Sequence, residues 1–210
     1  TQGSNLMPLD MFLQLEQADS SKLFRSETNM RRFRYLTQKP SRDNEHGMPV
    51  GWVKNRYQGR DYVGLTCAAC HTAQVNYQGV GIRIDGAPAL ADMETMMVAL
   101  EAALKATISN NNKFNRLANS LDQAPAALRS RLNITTAKIS NHNRINAPTH
   151  TSASGDVQQV HYGYGRLDAF GSIYNRVMAH LTPAIDNFNP ANAPVSYPFL
   201  WDTPQHDFVQ

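Results

Sequence analysis

The sequence predicts a mainly α-helical, loop-rich domain with one short β-hairpin, and three observations lead there. Apolar residues recur at helical spacing in two well-separated segments. Eleven prolines and 12 glycines, with many asparagines, break up much of the remainder. Between the helical segments, alternating apolar residues flank Gln78-Gly79, which is a hairpin signal.

Taken in order, Leu6 to Glu16 predicts a short helix, with Pro8 in its first turn and Met11, Phe12 and Leu15 on one stripe. Residues 18–60 carry Pro40, Gly47, Pro49, Gly51 and Gly59 among polar residues and read mostly as loop. Val63-Gly64-Leu65 then leads into a pair of cysteines. The hairpin follows: Val75 and Tyr77 on one strand, Val80, Ile82 and Ile84 on the other, closed by Asp85-Gly86. The clearest helix spans about Leu90 to Thr107, where Met93, Met97, Leu100 and Leu104 repeat and alanines favour helix. Shorter helices are expected at Lys113–Leu121 and Ala124–Leu132, with residues 133–163 irregular. A second strong helix is expected from Arg166 to Leu181, stopped by Pro183. Its Leu167, Phe170, Tyr174, Val177 and Leu181 would form the buried face. Residues 183–210 have further prolines and no period. The implied organisation is an N-terminal helix and loops over residues 1–60, a domain around the cysteine pair over 61–182 on which they pack, and a Pro-rich segment over 183–210 toward a second lobe or partner.

At 210 residues, 41% hydrophobic and 18% charged, the composition is that of a globular protein. No apolar run reaches the length of a membrane span. The net charge of +3 is small, and basic residues are dispersed apart from Arg31-Arg32-Phe33-Arg34, so a nucleic-acid surface is not expected. Thr1-Gln2-Gly3-Ser4 lacks the layout of a secretory signal. An exported protein would therefore be represented here in its mature form.

The chemistry is concentrated in Cys67-Ala68-Ala69-Cys70-His71, whose spacing is that of c-type haem attachment. Two thiols three positions apart on one turn meet the two porphyrin vinyl groups, and the adjacent histidine comes under the iron as its proximal ligand. A zinc site would need cysteines the chain does not have. A dithiol redox motif would need neither the histidine nor this context. The expected cofactor is one covalent haem c, with His71 the metal ligand. Because thioether attachment takes place outside the bacterial cytoplasm, a periplasmic or exported location follows. For the sixth ligand, Met93, Met96 and Met97 fit a core stripe better than a ligand role, and His142, His150, His161, His180 and His206 are open alternatives. Arg83 and Arg166 are candidate partners for the haem propionates.

Longer blocks extend the pattern: Leu65 to Gln74, Asn76-Tyr77-Gln78-Gly79, Ile82 to Leu90, Tyr164 to Gly171, and Pro194 to Asp207. Together these resemble the N-terminal half of a bacterial di-haem cytochrome c peroxidase-like protein, in a branch near the di-haem rubber oxygenase. The resemblance implies a cytochrome c-like haem lobe, a second haem lobe or partner chain, and a small redox protein as electron donor or acceptor. It also implies that the His71 haem is the one that meets peroxide or dioxygen. Phe170 and Arg166 would be distal-pocket residues, and Trp201 would lie on the inter-haem path. Only one haem motif is present, where the family has two. The expected activity is that of a peroxidase-like oxidoreductase lobe. A mono-haem electron-transfer cytochrome, or a redox subunit of a larger complex, is the alternative.

Overall fold

A pair of residues with left-handed backbone twice decides what the chain does. Gln58-Gly59 (φ 47° and 76°) and Gln78-Gly79 (φ 46° and 80°) form two-residue turns, whose twist matches that of the antiparallel strands they join. In a computed structural model of the chain, described for residues 5–182 and 184–205, each turn closes a hairpin. The first joins β2 (Trp52–Tyr57) to β3 (Arg60–Leu65), and the second joins β4 (Thr72–Tyr77) to β5 (Val80–Asp85). A short β1 (Met7–Pro8) adds to the first hairpin, giving the order β1-β3-β2 with Met7 opposite Val63 and Trp52 opposite Leu65.

Helices pack beside this sheet. α1 (Leu9–Gln14) follows β1 directly, and α2 (Glu27–Arg32) lies in the stretch before β2. Three longer helices follow the second hairpin: α3 (Met93–Ser109), α4 (Asn111–Leu121) and α5 (Pro125–Ile145). Their starts are encoded locally. The Asp92 carboxylate accepts from Thr95 N at 3.0 Å, and the Asn110 side chain accepts from Asn112 N and Lys113 N. Pro125 stands in the first turn of α5, where its missing N–H costs nothing. Beyond α5 come the small pair β6 (Thr149–Thr151) and β7 (Val157–Gln159). Then follow β8 (Arg166–Leu167), α6 (Ala169–Tyr174), a π-helical stretch Asn175–Leu181, and β9 (Val195–Ser196), which pairs with β8.

One core joins these elements. Met7, Phe12, Phe24 and Phe33 from the N-terminal third meet Met96, Leu100 and Leu104 of α3 and Leu128 and Leu132 of α5. Trp52 stacks on Phe12 with ring centroids 5.4 Å apart. Each such side chain contributes on the order of 1.5–3 kcal/mol of burial. Lys113 is buried with them and is satisfied by Glu16 Oε2, Gln17 O and Ser20 O at 3.2, 2.8 and 2.6 Å.

This corrects the expectation of a mainly helical, cytochrome c-like domain. Helix accounts for 41% and strand for 21%, and the strands form several antiparallel sheets. The β2–β3 hairpin lies largely in the stretch expected to be loop, because its glycines were counted as breakers whereas Gly59 is a turn residue. Two further corrections concern helices. α5 continues to Ile145, carried by Thr135, Thr136 and Ile139 on the buried face that Leu128 and Leu132 begin. The expected helix 166–181 starts as strand, and its apolar residues face outward: Phe170, Tyr174, Val177 and Leu181 are between 45% and 65% exposed. Asn175 and Ala179 are the residues buried there instead, with the Asn175 side chain bonded to both backbone groups of Asn189. Pro183, expected to stop that helix, lies outside the described residues.

Candidate functional site

The five-residue motif occupies the connection between β3 and β4. Cys67–Ala69 form a single 3-10 turn in which Cys70 N and His71 N both donate to Cys67 O, at 3.1 and 2.9 Å. The turn therefore holds Cys67 and Cys70 on consecutive sides of one loop of backbone and delivers His71 at the start of β4. It rests on Gly51, which has φ 78°; a Cβ there would come within 2.0 Å of Ala69 N. Only glycine allows that approach. The remaining backbone of the motif is paired from behind, with Ala89 N donating to Cys70 O and Gly86 N to His71 O.

Cys67 is exposed and Cys70 partly buried, and neither is in a disulfide. Burial pushes the Cys70 thiol above its ordinary pKa, partly offset by its polar contact with the Tyr197 side chain. His71 Nδ1 lies 2.8 Å from the Pro198 carbonyl oxygen. A carbonyl can only accept, so Nδ1 carries the proton and Nε2 presents its lone pair. Metal-bound histidines usually have this arrangement, a backbone or carboxylate oxygen fixing the tautomer from the far side of the ring.

Residues 195–200 form a strap that holds both reactive ends of the motif. Tyr197 is buried, its ring 6.1 Å from that of His71, its N–H donating to Gly165 O and its hydroxyl to Ala91 O at 3.3 Å. Burial pushes its phenol pKa well up. Leu200 N donates to Gly86 O. Behind the strap, Tyr35 and Trp52 pack edge to face at 5.2 Å. Both Tyr35 Oη and Trp52 Nε1 are buried without a hydrogen-bond partner among the described residues. Tyr197, Pro198, Tyr35 and Gly51 were not singled out by the sequence reading. A carbonyl or a buried phenol has no motif; Tyr197 and Pro198 stood only within the block Pro194 to Asp207, and Gly51 as one glycine among several.

The second hairpin supplies an apolar wall that starts at the motif. Its register pairs Ala73 with Ile84, Val75 with Ile82 and Tyr77 with Val80, all on one face. Gln74, Asn76 and Arg83 take the other. The five larger apolar residues of that face are between 38% and 63% exposed. On the polar side, Ala68, Ala69, Thr72, Pro88 and Leu90 line a cleft of about 320 Å³.

The candidate residues separate into those near the motif and those away from it. Trp201 is near in backbone terms: its N would lie 3.1 Å from a Cβ on Gly86, next to His71 O. Its ring stacks on Phe199 at 4.9 Å and is half exposed. Arg166 pairs with Ser196, one residue before Tyr197. Arg83 is engaged by Gln38 Oε1 and Thr37 O, both at 3.2 Å. Phe170 stacks on Tyr174 at 6.5 Å, on the outward face of α6. Met96 and Met97 are core residues. His161 Nδ1 contacts Glu94 Oε1 at 2.9 Å. Burial lowers the His142 pKa, assisted by Arg176 and Lys138. His180 packs against Phe188. His206 lies outside the described residues. Among the described residues no three His, Cys, Asp or Glu side chains converge on a possible metal position.

A covalently attached haem fits these residues on three counts. One turn carries both thiols, the histidine has its Nδ1–H already engaged, and an exposed apolar sheet face adjoins the motif.

No protein-family model matches the chain, and no solved structure matches it. Among curated proteins it is similar to an uncharacterized protein, y4iJ, of Sinorhizobium fredii (strain NBRC 101917 / NGR234). The two are 31% identical over 231 aligned positions, covering 97% of this chain. The chain spans 37% of the length of that relative.

Proposed function

We propose that the chain is the haem c-binding lobe of a periplasmic or exported peroxidase-like oxidoreductase that reacts with peroxide or dioxygen. The observation that carries this reading is the hydrogen bond from His71 Nδ1 to Pro198 O, within a Cys-x-x-Cys-His turn. It leaves Nε2 as the one ring atom able to ligate iron. A haem held there would supply the redox chemistry. The protein's own residues would do the rest. Cys67 and Cys70 would hold the group covalently, and the Pro198 carbonyl would fix the orientation of the imidazole through its Nδ1–H. Ala73, Val75, Ile82 and Ile84 exclude water along one side. The family resemblance adds a second haem lobe or partner chain and a small redox protein that exchanges electrons with it. Among the described residues no helix is long and apolar enough to cross a membrane.

The alternative of an electron-transfer lobe draws support from one feature. Phe170, the candidate distal wall, is on an outward helix face, whereas stacked Phe199 and Trp201 stand exposed beside the motif. Spectroscopy of the protein matured in a bacterial periplasm separates the two. An iron held only by His71 should be largely high-spin when ferric, and should bind cyanide in that state and carbon monoxide once reduced. A wholly low-spin iron in both oxidation states would favour electron transfer.

A further inference from the structure

We propose that the cleft on the polar side of the second hairpin is a binding site for a small aliphatic carboxylate, seated by Arg34 and Thr72. The inference goes beyond the proposed function and does not depend on it, because neither Cys67, Cys70 nor His71 lines this cleft. Its volume of about 320 Å³ is at the small end of ligand sites. Ala68 and Ala69, the two residues between the cysteines, form part of its wall. The site thus lies against the motif without using the motif's reactive atoms.

Thr72 and Arg34 both present unused donors. Thr72 is only 3% exposed, and among the described residues its hydroxyl makes no hydrogen bond. A hydroxyl so placed is a donor for whatever fills the cleft it lines. Arg34 is the one cation of the lining, and no acidic residue joins it there. It belongs to the basic run Arg31-Arg32-Phe33-Arg34, whose other cations are occupied: Arg31 pairs with Glu27 at 2.6 Å, and Arg32 lies over the Phe33 ring. The Arg34 guanidinium stands over the Tyr164 ring at 5.0 Å. Among the described residues its side chain makes no hydrogen bond or ion pair. Stacking takes up the face of a guanidinium and leaves the N–H donors on its edge free.

The lining selects the ligand. A guanidinium edge matches the two oxygens of a carboxylate, and the Thr72 hydroxyl adds a donor. Gln74 Nε2 already donates to Asn76 Oδ1 at 2.8 Å, which leaves the Asn76 amide hydrogens available at the same wall. Leu36, Val50 and Leu90 supply apolar surface for a short hydrocarbon body. A phosphate dianion would meet one cation and largely apolar walls, a poor exchange for its hydration.

Ligand-observed NMR with sodium butyrate as the probe tests this on protein of this sequence matured in a bacterial periplasm. Butyrate should broaden saturably, with a Kd of about millimolar, the range open to so small a ligand. Butyramide keeps the shape and lacks the charge, so it should bind at least about tenfold more weakly. Arg34→Gln, at an exposed position, should weaken butyrate at least about tenfold; Arg34→Lys should weaken it less, keeping the charge without the two-point geometry. Thr72→Val, nearly the same shape, should weaken it about threefold or more once its melting temperature shows the fold intact. Absence of saturable broadening would overturn the inference, as would butyramide binding as tightly as butyrate or inorganic phosphate binding more tightly than either. Affinity unchanged in Arg34→Gln, or in a folded Thr72→Val, would place the butyrate elsewhere and overturn it too. Covalent haem is read separately by intact mass, so the two readings fail independently.

Discussion

The chain treats its apolar residues in opposite ways on either side of Ile145. Up to that point most are turned inward, the exposed face of β4 and β5 apart: the largest fully buried side chains, among them Phe12, Phe24, Phe33, Met96, Leu104 and Leu132, all precede it. After it, the buried apolar residues among those described are Tyr162, Ala179, Ala191 and Tyr197, while the helix at 169–181 turns its larger apolar residues outward. The first part is packed on itself. The second is fastened through hydrogen bonds, such as those of Asn175 with Asn189 and of Tyr197 N with Gly165 O. The motif stands at the seam, its turn seated on Gly51 from the first part and its His71 held by Pro198 from the second. The difference teaches that helical amphipathicity and burial are separate facts; a stripe only states which residues would be buried if something came to cover them.

The largest effect expected at the seam is all or none. Protein matured in a bacterial periplasm should retain one haem per chain after denaturation, seen as an added haem mass and a peroxidase-stained band. Cys67→Ser with Cys70→Ser should abolish both signals. Retention of the covalent haem in that double variant would sink the haem assignment.

Next comes the glycine pair, which sharpens the contrast between a packed and an open backbone. Gly51→Ala must resolve a contact of 2.0 Å with Ala69 N and also keep φ at 78°, so overpacking and left-handed strain together should cost about 3 kcal/mol. Gly79 has φ 80° but nothing within 4 Å, so Gly79→Ala should cost about 1 kcal/mol, from the backbone alone. Denaturant unfolding of the two variants measures the difference. Equal midpoints would show that the seat under the motif is not tight.

Smaller again is the effect of the polar anchor inside the packed part. Lys113→Met removes a cation that satisfies three oxygens, but Glu16 retains its two bonds to Arg116, so the loss should be about 2 kcal/mol. The Arg116 guanidinium, with Lys113, holds the Glu16 carboxyl below its ordinary pKa against the opposing effect of burial. The unfolded chain therefore takes up a proton at higher pH than the folded one. This contribution is complete above the unfolded value of about 4.3 and is lost as pH falls through the lower folded value. A melting temperature in Glu16→Gln that falls on acidification as steeply as in the parent would contradict this.

Several elements were legible in the residues themselves. Alternation about Gln78-Gly79 identified β4 and β5, and the stripe through Met97, Leu100 and Leu104 identified α3. The same Gln-Gly signal stood at 58–59, yet it was outweighed by the surrounding prolines and glycines. α5 was expected to end at Leu132 because residues 133–163 read as polar and irregular, although Thr136, Ile139 and Ile145 stay on its buried side. The motif was legible because its chemistry fixes residue types at fixed spacing. The strap was not: what His71 meets is a backbone oxygen 127 residues away, and every residue type carries one.

The smallest expected effect tests the outward face directly. Phe170 was singled out from the sequence as a pocket wall, and a wall residue truncated to alanine would disturb both packing and ligand binding. On α6 the side chain is half exposed and its ring contact is with Tyr174, itself exposed. Phe170→Ala in this chain therefore leaves little cavity and removes little buried area. Its cost should be within about 0.5 kcal/mol, the range of surface substitutions. Leu104→Ala, at a fully buried position of α3, should cost about 2–5 kcal/mol. The pair, measured in the same denaturant titration, isolates burial from residue type, because both delete a large apolar side chain from a helix. If Phe170→Ala proved as costly as Leu104→Ala, the second part would have to be packed like the first, and the helix would be buried against this chain.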